Sequence, residues 1–87
     1  MTLKQKLFKE YEEMYREYEA LEREYPAASL GRMVAIAHRK SELDTAMAMV
    51  ERCVTKKDRA ELMNLRWKII KEFSAKELDE MKKNGAA

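Results

Sequence analysis

Apolar positions along the chain fall into three long helical arrays separated by two short breaks. Placed at about 100° per residue, Leu3, Leu7, Phe8, Tyr11, Met14, Tyr15, Tyr18, Leu21 and Tyr25 gather into one arc roughly 140° wide. From Leu7 onward, the subset Tyr11, Met14, Tyr18, Leu21 and Tyr25 steps by fours and threes, the spacing of a seam packed against another helix. Thr2 offers an N-cap, and Pro26 ends the array because the residue before a proline avoids helical backbone. The pattern predicts a helix over residues 3–24.

The second array opens after "YPAAS" with Ser29 as N-cap. Its apolar face moves along the chain: Leu30, Met33, Val34 and Ala37 centre well away from Leu43, Ala46, Met47, Val50 and Val54 on the same wheel. Either one helix meets two different neighbours, or it breaks at Ser41, where "SELD" supplies a second capping signal. A continuous helix is the preferred reading, because nothing there forces a break. The third array starts with Thr55 as cap and Asp58 three residues on, and Leu62, Met63, Leu65, Ile69, Ile70 and Phe73 form a broad face. From Ser74, "SAKE" either opens a short fourth helix carrying Leu78 and Met81, or the third runs on to Asn84 and Gly85. The pattern leaves both open.

The expected fold is therefore all-α: one helical domain over residues 1–87, a small antiparallel bundle of three long helices with a short fourth as the open alternative. Only two glycines and one proline, with 39% charged residues, agree with long helices rather than a sheet. A chain of 87 residues buries only about 60–65% of its unfolded surface, so homo-oligomerisation is the expected remedy for marginal stability.

Charge is partitioned. Residues 10–25 hold seven glutamates against Arg16 and Arg23, whereas residues 32–71 hold ten Lys or Arg against five acids. Complementary halves steer the first helix onto the other two, each exposed pair contributing a few tenths of a kcal/mol. The sharper alternative is a basic surface along "RMVAIAHRK" and "TKKDRAE" for an anionic ligand.

No catalytic residue, metal site or cofactor is expected. His38 is the only histidine and Cys53 the only cysteine, the latter on the Met and Val side of its helix as a small packing residue. Nothing matches a triad, a phosphate-cradling loop or a zinc knuckle, and the outward glutamates have no environment that would raise a carboxyl pKa. An enzyme is not expected. One cysteine, no apolar run of about 18 residues and an N-terminus that turns acidic point to a cytoplasmic protein with no membrane partner. Nucleic-acid binding is not expected at a net charge of +2.

Binding is the remaining class. A tyrosine ring packs while its hydroxyl needs water or a partner, so Tyr11, Tyr15 and Tyr18 suit either a helix seam with wet edges or a stacked nucleobase. Met47 and Met49 offer an adaptable apolar surface, and Trp67, at the edge of its arc, suits an interface.

The stretch "AIAHRKSELDTAMAMVERCV", through Leu43, Ala46, Met47, Val50, Arg52 and Val54 preceded by Ala35, Ile36 and Ala37, resembles the second long helix of small phage proteins that sequester cyclic-oligonucleotide immune signals. It covers about 20 of the 87 residues. That resemblance implies a non-enzymatic homo-oligomer, encoded by a phage or mobile element, that buries an anionic cyclic nucleotide in the host cytoplasm. On that expectation Tyr11, Tyr15 and Tyr18 stack on bases while Arg32, Arg39, Lys40 and Arg52 face phosphates. The alternative expectation is a protein-binding helical module that inhibits or regulates a host defence protein, with Met47, Met49 and Trp67 at its interface.

Overall fold

Thr2 opens the first helix by a reciprocal cap: its hydroxyl accepts from the Gln5 N–H at 3.1 Å, and its own N–H donates to the Gln5 side chain at 2.9 Å. In the computed structural model, which describes residues 1–85 and leaves the last two residues of the expected domain outside the described part, helix α1 runs Leu3–Glu24. Pro26 then sits in a single 3-10 turn, Tyr25–Ala27. Ser29 caps α2, Leu30–Cys53, by accepting from the Arg32 N–H. Thr55 accepts from the Asp58 N–H at 3.1 Å as α3, Lys56–Gly85, begins.

Both open alternatives resolve toward continuity. Helix α2 passes through Ser41, whose carbonyl accepts from the Thr45 hydroxyl at 3.1 Å while the ladder goes on. Helix α3 passes through Ser74 without a fourth helix. The shifting face of α2 therefore reports a change of surroundings along one helix. Ile36, Leu43, Met47 and Val50 are buried, whereas Leu30 and Val34 stand in solvent.

Ion pairs give the directions. Glu24 with Arg32, and Glu17 with Arg39, run α2 antiparallel to α1. Lys4 with Asp58, Arg16 with Glu72, and Arg23 with Glu77 run α3 parallel to α1. Neighbours in sequence are thus antiparallel, up-down-up. α2 and α3 each pack along α1 and meet one another little, so α1 is the central helix of the fold.

The core follows from that placement. Tyr11, Ile36, Leu43, Leu62 and Ile69 are fully buried, and Tyr15, Met47, Val50 and Leu21 nearly so. All three helices contribute, with Leu7, Phe8, Met14 and Phe73 closing the edges. Each buried aliphatic residue stabilises the fold by about 1.5–3 kcal/mol relative to exposure. At 30 residues against 22, α3 outruns α1 by about 12 Å at 1.5 Å per residue. Its excess lies beyond the Arg23–Glu77 pair, where Leu78 and Met81 stand in solvent.

Candidate functional site

Three tyrosines of α1 form the polar centre of the molecule. Tyr15 and Tyr18 are stacked, with ring centroids 6.0 Å apart and planes 10° from parallel. From α3 the Arg66 guanidinium lies over the Tyr15 ring at 4.6 Å, and from α2 the Lys40 ammonium lies over the Tyr18 ring at 4.9 Å. A ring's negative face attracts a cation, so these contacts tie the outer helices to α1 through its phenols. Burial, reinforced by the Glu19 carboxylate and opposed by Arg66, pushes the Tyr15 phenol up to about 12. Burial raises Tyr11 and Tyr18 as well, opposed at Tyr11 by the Arg66 charge.

Tyr11 is wholly buried, and its hydroxyl meets no hydrogen-bond partner among the described residues. Glu19, also buried, is held by the Arg23 guanidinium, which reaches on to Glu77 and lies over the Phe73 ring at 4.9 Å. A buried carboxylate is costly unless paired, and Arg23 supplies the pair.

The expectation that Tyr11, Tyr15 and Tyr18 present rings to a ligand meets a different arrangement. Tyr11 and Tyr15 are closed by the chain itself, and Tyr18 has one neighbour in Tyr15 and another in Lys40. Three of the four basic residues are similarly engaged. Arg32 holds Glu24 in a fork at 2.5 and 3.0 Å, Arg39 holds Glu17 at 2.6 and 3.0 Å, and Lys40 holds Glu22 at 2.8 Å. Through these bonds the arginines hold the Glu24 and Glu17 carboxyls below their ordinary range. Arg52 is exposed, in the last turn of α2. The surface hollow bordered by Tyr18, Glu22, Tyr25, Lys40, Ser41 and Asp44 carries two acids to one base, a poor setting for an anion.

The interface residues separate. Met47 is buried in the core between the helices, so its expected role at an interface is corrected to packing. Met49 and Trp67 are exposed, at 60% and 62%. Arg66 and Glu19 are not among the residues that the sequence pattern singles out. Each had a signal: a charged residue within an apolar arc, Arg66 between Leu62, Ile69 and Ile70, and Glu19 one turn beyond Tyr15.

Among the described residues no cluster of three His, Cys, Asp or Glu side chains is disposed to hold a metal ion, and no helix is long and apolar enough to cross a membrane. Comparison of the chain with protein-family models, curated proteins and solved structures finds no match.

Proposed function

We propose that this chain is a non-enzymatic protein-binding module that engages a helical partner through the outward face of α3, with Trp67 as its anchor. One observation carries the reading. Trp67, Leu78 and Met81 remain 56–68% exposed on a helix that packs on α1 through Leu62, Ile69 and Phe73, while Tyr11, Tyr15 and Tyr18 and the α2 bases Arg32, Arg39 and Lys40 are committed within the chain. Exposed tryptophan and methionine beside polar residues form the kind of surface on which a few anchors carry most of the binding energy.

Two experiments decide it. Affinity capture with the tagged chain is expected to retain a specific partner, a second copy or another protein, and to lose it with Trp67→Ala. Calorimetric titration with cyclic di- and trinucleotides is expected to give no heat. Sub-micromolar binding of any of them, undiminished by Trp67→Ala, would replace this reading with sequestration of an anionic nucleotide in a pocket assembled from several subunits.

A further inference from the structure

We infer that the partner presents an acidic amphipathic helix, seated in the groove between α1 and α3 that leads to Trp67. This rests on the reading of the chain as a protein-binding module and names the chemistry of what it binds.

Two adjoining hollows make the groove. In the first, Phe8 of α1 and Leu65 of α3 form a half-buried apolar floor, with the Gln5 and Asn64 amides at its edges. The second carries on along α3 from Asn64 and Lys68 past Trp67 to Ala75. From Glu61 to Ala75 the α3 wall runs about 21 Å at 1.5 Å per residue, roughly four turns of an α-helix laid alongside.

Charge decides what kind of helix fits. Among the acids that border the groove, Arg16 holds Glu12 and Glu72, and Lys4 holds Glu61. The Arg16 hydrogen bond keeps the Glu72 carboxyl below its ordinary range, with Lys68 adding to it from a distance. Lys9, Lys68 and Lys71 border the groove in solvent, and none has an acid within ion-pair distance among the described residues. Against these three cations the rim sets one unpaired carboxylate, Glu13.

Lys68 and Lys71 stand one turn apart on α3, and Lys9 borders the first hollow from the α1 side. An amphipathic helix with acids flanking its apolar stripe meets this layout. The stripe lies on Phe8, Leu65 and Trp67, and the acids on either flank reach the lysines. A polyphosphate chain fits less well, because its unbroken negative charge must pass Glu13, where a helix can place a neutral side chain.

The test is fluorescence anisotropy with the full chain and labelled probes. One probe is a peptide of about 15 residues, with leucines at steps of three and four and glutamates between them. The second is the same peptide with glutamines for glutamates, and the third is oligothymidylate. The glutamate peptide is expected to bind at least about ten-fold more tightly than the glutamine peptide. Lys68→Glu with Lys71→Glu, at exposed sites, is expected to keep the helical circular dichroism and weaken the glutamate peptide at least about ten-fold. Lys56→Glu with Lys82→Glu, the same change of charge away from the groove, is expected to alter it less than about two-fold.

Equal affinity for the two peptides, binding of neither, or indifference to the Lys68→Glu and Lys71→Glu pair overturns the inference. Tighter binding of oligothymidylate, lost with that pair, overturns it in favour of a polyphosphate. Affinity capture separates the two readings. A partner retained by Lys68→Glu with Lys71→Glu but lost with Trp67→Ala removes the acidic helix and leaves the module reading standing, whereas a partner retained by Trp67→Ala removes the module reading itself.

Discussion

α1 and α3 carry stripes of large apolar side chains at the same alternating spacing, and their fates differ. On α1 the stripe sinks between two neighbours until Tyr11 and Tyr15 lose nearly all contact with water. The outer stripe of α3, with a tryptophan and a methionine, keeps more than half its surface in solvent. Spacing marks a face that needs covering, but position in the bundle decides whether the chain itself covers it. α1 lies between α2 and α3, whereas among the described residues α3 packs chiefly on α1.

Substitutions test that contrast, beginning at the centre. Tyr11→Ala removes a fully buried ring and is expected to destabilise the fold by about 3–5 kcal/mol, most of the margin of a domain this size, read by urea denaturation. Alkaline pH should act on the same stripe. The unfolded Tyr15 phenol ionises near 10 and the folded one near 12, so the folded chain retains a proton that the unfolded chain has lost. Stability is then expected to fall as pH rises from 10 to 12, by up to about 2–3 kcal/mol, with a smaller slope in Tyr15→Phe.

Tyr11→Phe separates ring from hydroxyl. Because that hydroxyl is buried without a partner, its removal is expected to leave stability unchanged or raise it by up to about 1 kcal/mol. On α3, Trp67→Ala is expected to alter the stability of the isolated chain by no more than about 0.5 kcal/mol while abolishing capture of its partner. A large loss of stability there would erase the distinction between the two stripes. The smallest effect belongs to the exposed pairs: Arg39→Ala is expected to cost a few tenths of a kcal/mol at low salt and less at high salt, by thermal denaturation.

Much of the fold is legible in the sequence because its signals are local. Thr2, Ser29 and Thr55 each cap a helix through a bond to a residue three positions on, and Pro26 closes α1 by backbone sterics. Charge partition translates directly into Glu17–Arg39, Glu22–Lys40 and Glu24–Arg32. Depth is less legible. The hydroxyls of the tyrosine stripe suggest a half-wet edge, and only the arrival of Arg66 from one side and Lys40 from the other explains how these rings can lie inside. Met47 and Met49 show the same limit, two residues apart on one helix, one in the core and the other in water. A hydropathy pattern cannot distinguish them without knowing where α1 lies.

The central position of α1 also bears on how the protein is made. α1 precedes both of its partners in the chain, so during synthesis its tyrosine stripe exists before α2 and α3 can cover it. At about 5–20 residues per second, the remaining two helices take several seconds to emerge. Throughout that interval the glutamates alternating with the tyrosines give the nascent segment a strong negative charge and keep one copy's stripe from adhering to another's. The same acids later receive Arg32, Arg39 and Lys40, so a residue set that protects the unfinished chain also guides the finished one together.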